Sequence, residues 1–206
     1  MKTIVYLDGF NFYYGICKPT RIRWVNPLTL CQWLLPAHQI NALHYFSAEV
    51  KVRSDDPNQL NRQRVYFRAL RTVPSLTITL GRFLESTKKM PLAQPQGNAR
   101  FAEVIKTEEK GSDVNLATQM LLDAFDQAMD CAVLVTNDSD LLLPIQTVRR
   151  RFGIKVGLLN PQQRPSQTLI ANVDFYKKIR QTVLGLSQFP LTLTDQHGTF
   201  HKPAVW

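Results

Sequence analysis

Four aspartates stand where their type and placement could do chemistry. Asp8 closes a short apolar, β-branched run over residues 3–7, and Asp138 and Asp140 follow a continuous apolar run over residues 131–136. Asp113 opens a helix just ahead of that second run. In an open α/β sheet, ligands bind outside the carboxyl ends of the strands. If the two strands are neighbours, three of these carboxylates converge there, and the fourth reaches them from its helix start. Gathered carboxylates repel and raise one another's pKa unless cations neutralise them. Hard divalent ions with oxygen ligands suit such a set. Mg²⁺ or Mn²⁺ so held lowers the pKa of bound water and stabilises charge on a phosphate, which is the chemistry of phosphodiester hydrolysis. Each acid also has a plainer reading. Asp8-Gly9 can be a turn, Asp113 beside Ser112 a helix start, and Asp138 and Asp140 caps of the next helix. The combination is more specific than any member.

The elements that must position these residues alternate between strand and helix patterns. Strands are predicted over residues 3–7, 42–50, 76–84, 131–136 and 154–159. Helices are predicted over 27–33, from after Asp55-Asp56-Pro57 to 73, from Gly111 to about residue 128, from after Asp140 to 152, and over 173–186. Prolines, a glycine and polar residues describe residues 86–100 as a loop. Residues 101–106 read as a strand near a sheet edge. This order implies an α/β fold with a mostly parallel central sheet flanked by helices on both faces. The domain is expected over residues 1–186, with residues 187–206 a tail, docked or free. His197 and His201, four apart in that tail, are a weak two-ligand metal pattern, since Gly198 and Pro203 oppose a helix there.

The chain has 206 residues, with 25 Lys and Arg against 16 Asp and Glu, for a net charge of +9. Residues 1–140 carry 16 basic and 14 acidic groups, whereas residues 141–206 carry 9 and 2. The excess attracts polyanions without specifying a fold. A composition 44% hydrophobic and 20% charged excludes disorder throughout. Cys17, Cys31 and Cys131 are too scattered for a disulfide framework or zinc ribbon. No run of about 18 apolar residues and no signal peptide is evident, so a cytoplasmic protein with no membrane partner is expected. No Gly-x-Gly-x-x-Gly, phosphate-binding loop or Gly-x-Ser-x-Gly appears, which leaves dinucleotide-dependent, ATPase and serine-hydrolase readings without support.

Three segments resemble the signature blocks of NYN domains, in the branch similar to LabA proteins. They are Leu7-Asp8-Gly9-Phe10-Asn11, Lys110-Gly111-Ser112-Asp113-Val114-Asn115-Leu116-Ala117 and Val135-Thr136-Asn137-Asp138-Ser139-Asp140-Leu141. NYN domains belong to the PIN-like nuclease superfamily. The resemblance implies a PIN-like three-layer α/β sandwich and Mg²⁺- or Mn²⁺-dependent cleavage of RNA or single-stranded nucleic acid. It implies a metal site of Asp8, Asp113, Asp138 and Asp140, with Asn11 orienting Asp8 or a phosphate. Where the second block is often followed by another acid, this chain has Gln119, and the next acid, Asp123, is expected to be solvated.

Arg64, Arg68 and Arg71 form one stripe of a helix and can neutralise successive phosphates, or form a solvated surface. Arg149-Arg150-Arg151 closes the helix after the third block, where cations favour a helix C-terminus in any case. Lys110 stands beside Asp113, for phosphate or to balance Glu108 and Glu109. Tyr13, Tyr14 and Trp24 are rings on which bases can stack, whereas Phe12 belongs to the core. Two other readings stay open: an NYN domain that binds RNA or a regulatory partner without cutting, and a nucleotide-sugar transferase built on Asp138-Ser139-Asp140, which leaves Asp8 and Asp113 without work. A homodimer is also left open.

Overall fold

The first strand, β1 (Lys2–Asp8), sends Val5 and Leu7 into one hydrophobic core and Ile4 and Tyr6 into another. Period-2 alternation makes a strand with both faces buried apolar throughout. The computed structural model describes residues 1–52, 54–97 and 99–206. Further strands are β2 (Gln39–Ser47), β3 (Leu76–Leu80), β4 (Arg82–Gln96), β5 (Ala99–Lys110), β6 (Cys131–Val135), β7 (Lys155–Asn160), β8 (Phe175–Lys178), β9 (Thr192–Asp195) and β10 (Gly198–His201). Six of them form one sheet in the order β3-β2-β1-β6-β7-β8, with every neighbouring pair parallel.

Helices cover both faces. The chain leaves β1 through α1 (Gly9–Phe12), a π-helical turn (Tyr13–Cys17) and α2 (Lys18–Thr20). With α3 (Pro27–Leu34) and α4 (Gln59–Leu70), these bury Phe12, Ile16, Leu30, Phe67 and Leu70 against one face. The opposite face receives Leu116 and Met120 of α5 (Ser112–Phe125), Ile145 and Val148 of α6 (Leu142–Phe152), and Leu169 of α7 (Gln167–Ile170). Leu184 of α8 (Gln181–Leu186) returns to the first face. The result is the expected three-layer arrangement around a parallel sheet.

The structure departs from the expected elements in two places. The strand expected over 76–84 ends at Leu80, and after Gly81 the chain enters β4, which pairs antiparallel with β5. Residues 86–100, expected as a loop, are therefore largely a long β-hairpin arm; Asn98, within that stretch, lies outside the described residues. Residues 101–106 are strand, but in this arm rather than at the edge of the main sheet. Pro91 fits because a two-stranded ribbon is all edge.

The second departure is the helix expected over 173–186, which is instead the four-residue β8 followed by α8. The tail, expected docked or free, forms the antiparallel hairpin β9–β10 and docks. Phe189 and Phe200 are buried, and Trp206 packs on Trp24 and Tyr66. Trp24 is fully buried, with its indole N–H donating to the Pro190 carbonyl at 2.8 Å, so it is core rather than a stacking platform. His197 and His201 lie on this hairpin rather than on a helix, and His201 meets the Thr192 hydroxyl at 3.0 Å.

Candidate functional site

The sheet grows from β1 through β2 to β3 on one side and from β6 through β7 to β8 on the other. The direction of winding thus reverses between β1 and β6, the point at which an open α/β sheet places its binding crevice, at the strands' carboxyl ends. Register places Leu7 beside Val135, so Asp8 and Thr136 emerge next to each other.

Asp8 is buried, and each of its oxygens is held. Oδ1 accepts from the Asn11 backbone N–H at 2.9 Å, as N-cap of α1, and Oδ2 accepts from the Thr136 hydroxyl at 3.0 Å. Burial pushes its carboxyl above the usual range, against these lowering bonds. Gly9 next to it has no room for a side chain. A Cβ there would lie 2.7 Å from the Phe46 carbonyl and 2.8 Å from the Tyr45 ring.

Asn11 works across the crevice. Its Oδ1 accepts from the Asn137 backbone N–H at 3.2 Å and from Gln162 Nε2 at 2.7 Å. The Thr136 hydroxyl also accepts from the Asp138 N–H at 3.1 Å, and Asp138 Oδ1 accepts from the Asp140 N–H at 3.0 Å. Asn137 Oδ1 accepts from the Ser166 N–H at 2.7 Å, and Asn160 Oδ1 from the Gln162 N–H at 3.0 Å. Thr136, Asn137, Asn160 and Gln162 thus build the frame that carries the acids. Asn160 and Gln162 were not legible as site residues, being neutral amides outside the blocks.

Asp113 enters from the first turn of α5, behind Gly111 at φ 102°. Burial pushes its carboxyl up to about 6, and the charges of Asp8, Asp138, Glu109 and Asp140 add to the rise. The four sequence-predicted acids therefore share one electrostatic neighbourhood. No Lys or Arg among the described residues forms an ion pair with any of the four. This all-oxygen, uncompensated donor set suits a hard divalent cation in its chemistry. In spacing it is open: among the described residues no three His, Cys, Asp or Glu groups stand together as a ready ligand set. Asp123 is not solvated as expected. It accepts from the Tyr6 hydroxyl at 2.6 Å and from Gln119 Nε2 at 2.9 Å, and lies 3.5 Å from His44.

The cations predicted to hold nucleic acid are largely engaged within the protein. Arg64 makes two bonds to Glu49, at 2.8 and 3.0 Å, and Arg68 two to Asp195, at 2.7 and 2.6 Å. Arg149 makes two to Asp174, at 2.9 and 2.7 Å. Lys110 lies 3.9 Å from Glu108. Tyr13 and Tyr14 meet edge to face at 5.1 Å, with Tyr14 52% exposed. The arm rooted beside Asp113 carries further cations, Arg82, Lys88, Lys89 and Arg100, all exposed and outside the three blocks.

The chain is 29% identical over 238 aligned positions to 6-hydroxy-3-succinoylpyridine 3-monooxygenase HspA of Pseudomonas putida, an alignment spanning 100% of this chain and 75% of that protein. In fold it is similar to a protein of unknown function from Vibrio parahaemolyticus, with TM-score 0.58 and 20% identity over 87% of this chain and 93% of that one. The crevice between β1 and β6, with its acids on the strand ends and on the following helix start, lies wholly within residues 2–179, which match the NYN domain; the chain belongs to that family.

Proposed function

We propose that the chain is a metal-dependent nuclease that hydrolyses phosphodiester bonds of RNA or single-stranded nucleic acid, as the LabA-like form of its three blocks suggests. What supports this reading most is that Asp113 feels the charges of Asp8, Asp138 and Asp140 at the sheet's switch point, with no basic partner for any of the four among the described residues. Such a site repels a polyanion until a divalent ion joins it. Asp8, Asp113, Asp138 and Asp140 would hold Mg²⁺ or Mn²⁺, which when bound supplies an activated water and charge stabilisation on the phosphate. Thr136 and the Asn11 N–H fix the Asp8 carboxylate. Asn11 ties the β1 and β6 ends to Gln162, so that the acids keep their places as a strand of nucleic acid passes. The arm's exposed cations supply non-specific attraction for its backbone.

The test is cleavage of single-stranded RNA by the purified chain with Mn²⁺, Mg²⁺ or EDTA. Turnover should require metal, and Asp138→Asn or Asp140→Asn should abolish it. Cleavage unaffected by both substitutions sinks the assignment. Salt-sensitive RNA binding without metal-dependent turnover would instead establish a non-catalytic RNA-binding domain.

A second reading rests on one observation, the 29% identity, over all of this chain and 75% of the relative, to a protein named as a 6-hydroxy-3-succinoylpyridine 3-monooxygenase. It predicts oxygen uptake when 6-hydroxy-3-succinoylpyridine and an electron donor are supplied, with no loss on Asp138→Asn.

A further inference from the structure

Beside Gly9, a cavity of ≈ 260 Å³ opens at the carboxyl ends of β1 and β2. Its walls include Phe10, Tyr13, Tyr14, Tyr45, Tyr66 and Trp206. Arg23 also lines it, and its Nε is buried with no hydrogen-bond partner among the described residues. A guanidinium N–H hidden from water without an acceptor is costly, and most such groups in proteins are satisfied. Its charge is felt by Tyr13 and Cys17, both neutral at ordinary pH, and no carboxylate among the described residues pairs with it. Arg62 on the same wall is already bonded to Asp56. Lys18, Asp55 and Asp56 line the cavity too, and Arg23 carries the buried donor on this wall that has no acceptor among the described residues.

The wall that carries Tyr13 and Cys17 is the π-helical turn. Such turns are rare, and they are frequent at functional sites. The cavity lies just under the range of drug-sized sites, which suits one ring system rather than several.

We propose that this cavity binds a planar heteroaromatic ring carrying an anionic group, the ring held among Tyr13, Tyr14 and Phe10 and the anion accepting from Arg23. Two sources present that chemistry, a nucleotide of a single strand and a small pyridine acid. Through Gly9 the cavity adjoins Asp8, so a nucleotide seated there would bring a neighbouring phosphate toward the acids. The cavity stands whether or not those acids hydrolyse anything.

The experiment uses the full chain without added metal. Uridine 5′-monophosphate, uridine, ribose 5-phosphate and 6-hydroxy-3-succinoylpyridine are titrated by calorimetry and by tryptophan fluorescence, for which Trp206 is the reporter in the wall. At least one of the two ring acids should bind. For the nucleotide, removing either the ring or the anion should weaken binding by about fivefold or more. Arg23→Gln should weaken ring-acid binding at least about tenfold. Tyr14→Ala, at an exposed position that does not endanger folding, should weaken it by about fivefold. Tighter binding of the nucleotide identifies a base subsite, and tighter binding of the pyridine a small-molecule site; either ranking supports the cavity. The proposal is overturned if neither ring acid binds, if ribose 5-phosphate binds as well as uridine 5′-monophosphate, or if Tyr14→Ala and a folded Arg23→Gln both bind as the parent does. Since no turnover is read, a failure here is separate from a failure of the hydrolytic reading.

Discussion

The Thr136 hydroxyl donates to Asp8 Oδ2 at 3.0 Å, joining the ends of two adjacent parallel strands through side chains where the backbone ladder stops. Both residues are buried, so water does not readily replace either partner. Thr136→Val keeps the shape and removes both the donor to Asp8 and the acceptor of the Asp138 N–H. It should cost about 1–3 kcal/mol, the usual penalty for a buried acceptor left short of a bond. Urea unfolding checks this, and Thr136→Ser should recover most of the loss. A midpoint unchanged by valine would show that neither bond matters.

The Asp113 carboxyl gives stability a definite dependence on pH. Its pKa is pushed up to about 6 in the fold, against roughly 3.9 in an unfolded chain. Between these values the folded state binds more protons than the unfolded one. Stability therefore falls as pH rises from about 4 to about 6, and stays lower above that. Asp8, also raised, acts in the same direction. In EDTA, Asp113→Asn should melt higher than the parent at pH 7.5, while the two converge near pH 4. Solvent screening of this half-exposed group should hold the gain to about 1 kcal/mol or less. A variant that melts lower than the parent at pH 7.5 would contradict the like-charge picture.

Phe200 anchors the terminal hairpin. It is 7% exposed, and the Arg68 guanidinium lies 4.2 Å from its ring centroid. Phe200→Ala should destabilise by about 3 kcal/mol if the hairpin folds with the body. The measurement is a single unfolding transition that shifts as a whole. An unshifted main transition, with the tail alone becoming sensitive to protease, would mean that the hairpin is an independent appendage.

Replacing residues 88–101 with a two-residue turn removes Lys88, Lys89 and Arg100, all exposed, while leaving both cores untouched. The melting temperature should hold within a few degrees. If the arm's cations neutralise phosphates, RNA affinity should fall, and the slope of log affinity against log salt should shrink by about 0.7 for each phosphate of a single strand that is no longer neutralised. An unchanged slope would separate the arm from nucleic acid.

The residues explain which parts of this protein were legible in its sequence. β1 and β6 are apolar on both faces because helices cover both sides, and continuous apolar runs announce that environment. Each run ends abruptly in acids, so the crevice could be anticipated from period and charge. The arm could not, because β4 is mostly exposed and the partly covered face of β5, Ala102, Val104, Lys106 and Glu108, mixes apolar and charged residues. The tail docks through Phe189, Phe200 and Trp206, separate anchors with no period. At the site, Asn160 and Gln162 act through amides that long-range topology brings to Asn11 and Asn137. No local spacing marks them. The arginine stripe of α4 was visible, but its partners, Glu49 and Asp195, come from distant segments.

The arm joins the body through Gly81, which leads out of β3, and Gly111, which leads into α5. A Cβ on Gly111 would stand 3.8 Å from Gly81 Cα, so the two junctions face each other. One step beyond Gly111, Ser112 is tied to Glu109 of the arm by its N–H at 3.1 Å and its hydroxyl at 2.8 Å. Asp113 comes next in the chain. Arm and acid are thus in series: the base of the ribbon reaches Asp113 through Gly111 and Ser112 alone, so that any change in how the ribbon sits is first felt at that carboxylate.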